Sequence, residues 1–109
     1  MTRYAKLRDA NVARQAEWDE GNTISLTYWA TAMAGEVGEA CNVVKKLERE
    51  RLGLRGSRAT LADLADELAD VVIYVDLLAM SQGIDLEAAI RNKFNATSAK
   101  YKLGTRMLT

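Results

Sequence analysis

TLADLADELADVVIYVDLLAMS, Thr60–Ser81, is the stretch that decides the fold of this 109-residue chain. Leu61, Leu64, Leu68, Val71, Val72, Val75 and Leu78 recur at threes and fours, the spacing of a helix with a buried side. Thr60 and Asp63 form a capping box, with Asp in place of the usual Glu. From Val71 to Met80 the segment is apolar nearly all round apart from Asp76, which predicts a central helix. Gly83 follows where helices commonly end on glycine. Within the helix, Glu67 and Asp70 stand three apart and so share one side.

Upstream, Thr23 or Ser25 is positioned to cap a second helix running to about Glu48. Its stripe is Leu26, Ala30, Met33, Val37, Ala40, Val44 and Leu47. The segment GEVGEACNVVKK, residues 35–46, carries a second acidic pair, Glu36 and Glu39, again three apart and flanking the stripe. Gly35 and Gly38 each cost helix propensity, on the order of 1 kcal/mol against alanine. Their place beside the acids fits close approach of a ligand or another backbone, or tight helix packing. Between the two helices, ERERLGLRGSR, residues 48–58, reads as a basic connection broken by Gly53 and Gly56.

Two further helices complete the reading. The first spans about Arg3 to Trp18, with Tyr4, Leu7, Asn11, Arg14 and Trp18 on one partly apolar stripe and Trp18 in the core. Gly21 and Asn22 break the chain after it. Asp85 caps the fourth, whose side is Leu86, Ile90, Phe94, Thr97 and Tyr101; LGTRMLT, residues 103–109, is a loose tail. The expected architecture is all-α, a four-helix bundle in one domain over 1–109 with its core at about 23–101.

Composition narrows the function. Lysine plus arginine number 15 and aspartate plus glutamate 15, so no global field draws in a nucleic-acid polymer or an anionic membrane. Proline is absent and hydrophobic residues make up 49%, which favours long helices with a real core. No apolar run approaches a membrane span, and MTRYAKLRD lacks the apolar segment of a signal peptide. With one cysteine, Cys41, an internal disulfide cannot form, and the expected location is the cytoplasm. One cysteine and no histidine also exclude the usual zinc sites.

The four acids carry the chemistry. If the second and third helices pack antiparallel, Glu36 and Glu39 face Glu67 and Asp70 across the seam. Four convergent carboxylates repel at neutral pH unless a cation or a shared proton lies between them. An all-oxygen donor set suits a hard divalent cation, Mg²⁺ above all with Mn²⁺ as a substitute. A di-iron site wants Glu-x-x-His motifs, and this chain has no histidine. The bland reading is a row of surface acids paired with Lys and Arg, which suits Glu48, Glu50, Asp63 and Asp66. Trp29, two turns before Glu36, and Tyr74, one turn after Asp70, could stack on a base or pack the core. Asn42 and Lys46 follow Glu39 on the second helix. Lys93 and Lys100, with Arg91 nearby, are the cations of the fourth.

GEVGEACNVVKK followed by ADELADVVIYVDLLA resembles the MazG-like, all-α nucleoside triphosphate pyrophosphohydrolases over roughly Trp29–Tyr101. Their signature is EExxE, a spacer, then ExxD. Glu36 and Glu39 match the second and third acids of the first half, and Glu67 and Asp70 match the second half. Gly35 replaces the first Glu, a departure that looks like the dCTP-pyrophosphatase-like branch. The resemblance implies hydrolysis of a (d)NTP between the α and β phosphates, giving a nucleoside monophosphate and pyrophosphate. It implies Glu36, Glu39, Glu67 and Asp70 as metal ligands, Glu36 or Glu39 as general base, and Lys93 among the phosphate-binding cations. It also implies a homo-oligomer, dimer or tetramer. The competing readings are a non-catalytic helical interaction module of the same fold, and a regulator that binds Mg–NTP with negligible turnover.

Overall fold

Four side chains start three of the helices. In the computed structural model, which describes residues 3–109, Ser25 Oγ accepts from Tyr28 N at 3.3 Å. Thr60 and Asp63 exchange bonds of 3.1 and 2.8 Å, and Asp85 accepts from Ala88 N at 3.1 Å. The elements are α1 (Leu7–Trp18), α2 (Leu26–Arg51), α3 (Leu61–Ser81) and α4 (Leu86–Lys100), with no strand among the described residues. The all-α, four-helix expectation holds. α1 starts later than its stripe suggests, because no side chain caps it at Lys6.

α2 and α3 pack along their lengths as an antiparallel pair; α1 lies on α3, and α4 touches only α3. Two polar devices place α1. At its end, Asp19 accepts from Thr23 N, Thr23 Oγ1 and Ile24 N, which fixes the turn into α2. Along its length, Asp76 of α3 is 4% exposed and receives Arg8 Nε at 3.1 and 3.3 Å and Asn11 Nδ2 at 2.9 Å. Asn11 is itself 1% exposed, and its amide nitrogen also reaches the Ile73 carbonyl at 3.3 Å. The polar interruption in an apolar helix is therefore the peg on which α1 hangs.

The buried stripes are rotated from the expected ones. On α2 the seam holds Trp29, Ala40 and Val43, with Glu36 half-buried among them, while Leu26, Val37 and Val44 are exposed. On α3 it holds Leu64, Glu67, Asp70, Tyr74 and Leu77, leaving Leu61, Leu68 and Val72 exposed. Both helices carry two apolar stripes, and within one chain each can bury only one.

Three other expectations change. Trp18 is 65% exposed rather than in the core, because it ends α1 beyond the cover of α3. The tail is tethered: Asn95 donates to the Met107 carbonyl at 2.9 Å and accepts from Met107 N at 2.7 Å. A methyl group added at Gly35 or Gly38 meets nothing within 4 Å, so these glycines serve no close packing between helices of this chain. The 52–60 connection is held by Arg49, which donates to the Ser57 carbonyl at 3.0 Å. Its Gly56 has φ +130°, a value that a side chain rarely adopts.

Candidate active site

Antiparallel packing brings the two acidic pairs together. Glu36 of α2 and Glu67 and Asp70 of α3 each offer a carboxylate oxygen, and these oxygens lie within 4.8 Å of one another. All three side chains are half-buried. Desolvation by burial, reinforced by Glu39, Asp70 and Glu67, pushes the Glu36 carboxyl above the ordinary glutamate range. Burial and then Glu39 push Glu67 up in the same way. Glu39 is exposed and stands outside the three-carboxylate cluster, yet it is close enough to help raise both Glu36 and Glu67.

Oε2 of Glu36 and Oε2 of Glu67 are buried with no hydrogen-bond partner. Buried polar oxygens are ordinarily satisfied, and no cation among the described residues pairs with either. Unpaired inward oxygens in an all-carboxylate cluster suit a hard divalent cation, which would discharge the repulsion and satisfy both. The donor set therefore fits such an ion.

Beside the acids lies an open cavity of about 320 Å³. Trp29 and Tyr74 form its inner wall, with ring centroids 6.2 Å apart, and Asn11, Arg14, Gln15 and Trp18 of α1 form the outer one. Trp29 is 3% exposed and also meets Tyr28 edge-on at 5.6 Å, so it serves as core and as wall at once. Tyr74 links the cavity to the acids, since burial and then Glu36 raise its phenol above the ordinary value. It remains a neutral O–H donor at neutral pH.

The remaining expected residues are placed more loosely. Lys46 sits at the opposite end of the seam, where its charge helps hold Asp63 low after the Thr60 bonds have done so. Asn42 is exposed one turn beyond Glu39. Lys93 and Lys100 are exposed on α4, which meets only α3; Lys100 Nζ lies 5.4 Å from the Tyr101 ring centroid. Sequence reading missed the α1 wall. The signal was present in the stripe itself, where Asn11 and Arg14 interrupt an otherwise apolar row.

No helix of the described residues is long and apolar enough to cross a membrane. No curated protein matches the chain. Residues 25–102, from the cap of α2 to the end of α4, match the family model described as the MazG nucleotide pyrophosphohydrolase domain, and the chain belongs to that family.

Proposed function

We propose that the chain hydrolyses (deoxy)nucleoside triphosphates between the α and β phosphates, with a nucleoside monophosphate and pyrophosphate as products. The observation that carries this reading is the Glu36–Glu67–Asp70 cluster, with two unpaired buried oxygens, next to an aromatic-walled cavity. Glu36, Glu67 and Asp70, with Glu39 beside them, would hold Mg²⁺, or Mn²⁺ in its place. A bound divalent cation there would neutralise phosphate oxygens and polarise the phosphorus.

The chain's own groups supply the rest. Trp29, Tyr74 and Trp18 receive the base, and the Tyr74 hydroxyl donates toward the sugar or α-phosphate. Water adds to the phosphorus as the bridging P–O bond breaks and pyrophosphate leaves. Glu39, the acid outside the cluster, takes the water's proton. Lys46 and Asn42 lie along α2 beyond the acids and receive the outer phosphates; Lys93 and Lys100 are further cations for them.

Self-association belongs to the same reading. The accessible surface is 8183 Å², against roughly 6,000 Å² for a compact monomer of this mass. The radius of gyration is 17.5 Å, against roughly 13 Å for a compact domain. The excess, on the order of 2,000 Å² per chain, is the size of an obligate subunit interface. The exposed stripes Leu26–Val37–Val44 and Leu61–Leu68–Val72 would supply it, in a dimer or tetramer. A nucleotide-pool enzyme with one exposed free thiol, Cys41, suits the reducing cytoplasm.

The test is release of pyrophosphate versus orthophosphate from a panel of canonical and modified (d)NTPs, with Mg²⁺, with EDTA, and with Glu67→Gln. Metal-dependent release of pyrophosphate, lost in the variant, supports the reading. A folded chain that turns over no member refutes it in favour of a non-catalytic nucleotide-binding module.

A further inference from the structure

α4 is amphipathic and turned the wrong way round for a helix of a lone chain. Its apolar stripe faces solvent: Ile90, Phe94 and Tyr101 are 49%, 44% and 63% exposed. Its polar side faces inward, with Ser98 buried and Arg91 and Asn95 half-buried. The chain lays its own tail on that polar side, through the pairing of Asn95 with Met107, and leaves the apolar one open. A surface helix ordinarily does the reverse. The direction of α4 is set by the turn before it. Gly83 takes the left-handed conformation at φ +65°, Ile84 N donates to the Ala79 carbonyl at 2.9 Å, and Asp85 caps the new helix. This turn holds α4 away from α3 and from the start of α1, with a cleft of about 730 Å³ between them. Leu7, Val72, Leu86 and Ile90 line it, and the acids Asp9, Asp85 and Glu87 stand among them.

From this arrangement we infer that the cleft is the seat of α4 from a second copy of the chain. The exchange is reciprocal: each α4 lies antiparallel in the other's cleft, and two α3–α4 hairpins close one intermolecular four-helix bundle. The inference rests on the self-association reading and names the contact that carries it. Shape agrees. Leu86 to Tyr101 span about 22 Å of helix. Their stripe belongs both to the cleft and to the helix that enters it, the self-complementarity that a twofold contact requires. Charge agrees. After Glu87 the chain carries Arg91, Lys93, Lys100, Lys102 and Arg106 and no acid. The cleft has the opposite balance: Arg8 is spent on Asp76, leaving Lys6 against Asp9, Asp85 and Glu87. The basic second half of one α4 therefore meets the acidic first turn of the other, and antiparallel helices bring opposite dipole ends together. An anionic polymer or membrane would match only the basic half and be repelled by the acidic turn. Area agrees as well. An excess on the order of 2,000 Å² per chain exceeds the roughly 800 Å² per partner of a standard interface, which leaves room for this contact beside one through the α2 stripe.

The test is sedimentation equilibrium of the full chain over a concentration series, which reads association without turnover. Ile90→Gln/Phe94→Gln changes two exposed positions while keeping helix propensity. It should weaken association by about tenfold or more with ellipticity unchanged. Val72→Gln, on the opposite wall of the cleft, should weaken it in the same direction. Leu54→Gln, an equally exposed apolar residue of the 52–60 connection, should leave it within about twofold of the wild type. Added salt should weaken the wild-type contact, because opposite charges meet in it. An oligomer that the Ile90/Phe94 variant leaves intact overturns the α4 contact alone, as does an equal loss in Leu54→Gln. Association that salt strengthens overturns the antiparallel arrangement, since like charges would then face each other. A wild-type monomer at micromolar concentration overturns this contact and the self-association reading together, and leaves the pyrophosphohydrolase reading to its own assay.

Discussion

Asp76→Ala should cost this protein about 3 kcal/mol and detach α1 before it unfolds the α2–α3 pair. Asp76 is 4% exposed and accepts from Arg8 and from the 1%-exposed Asn11. Its removal leaves Arg8 without its ion pair and Asn11 with only the 3.3 Å bond to the Ile73 carbonyl. Breaking a buried charge pair from one side costs roughly 3–5 kcal/mol. The Arg8 side chain keeps 29% of its surface in solvent and can swing outward, so the low end applies. Asn11 cannot escape, and an unsatisfied buried amide alone costs about 1–3 kcal/mol. For a domain of this length, 3 kcal/mol corresponds to a fall in Tm of roughly 10–20 °C. Asp76→Asn keeps the shape and one acceptor, and should lose about half as much. The assay is urea denaturation followed by far-ultraviolet circular dichroism at one fixed protein concentration, since any self-association ties stability to concentration. Tryptophan emission, which follows the α1 wall through Trp18, should change at lower urea than ellipticity in Asp76→Ala. A variant within about 1 kcal/mol of the wild type would refute the claim that this ion pair holds α1 in place.

Three further outcomes are expected. Glu36 and Glu67 have folded-state pKa values raised by burial and by neighbouring acids. Each therefore binds its proton more tightly folded than unfolded, so the metal-free chain gains stability as pH falls through those raised values, and gains no more below the ordinary 4.5. Calorimetry without metal should show Tm rising from neutral pH toward about pH 5, while the increment given by added Mg²⁺ fades over the same interval; a metal-free Tm that falls throughout contradicts the cluster. Thr60→Ala removes the capping box that starts α3 and should destabilise by about 1 kcal/mol in chemical denaturation, with no effect meaning that the cap is redundant. Light scattering should give a mass at least twice the 12.0 kDa of one chain; a monomer at micromolar concentration would leave the exposed apolar stripes without an occupant.

Much of this protein was legible in its order of residues. Thr60, Asp63 and Gly83 bracket α3, and Ser25 and Asp85 start α2 and α4, because caps are local contacts between neighbours in sequence. The i, i+3 spacing of Glu36 with Glu39 and of Glu67 with Asp70 put each pair on one helix side for the same reason. Which side would be buried was not legible. α2 and α3 each carry two apolar stripes, and the choice belongs to the pairing of whole helices. That choice drew Glu36, Glu67 and Asp70 into the seam, left Glu39 outside it, and exposed Leu61, Leu68 and Val72. The α1 wall was decided at the same level: Asp76 is 68 residues from Arg8, and no local rule joins them. Sequence alone determined the helices and the acids they carry, since both depend on spacings of a few residues. Tertiary structure alone decided which oxygens converge and which groups face the cavity, since those depend on how the helices turn toward one another.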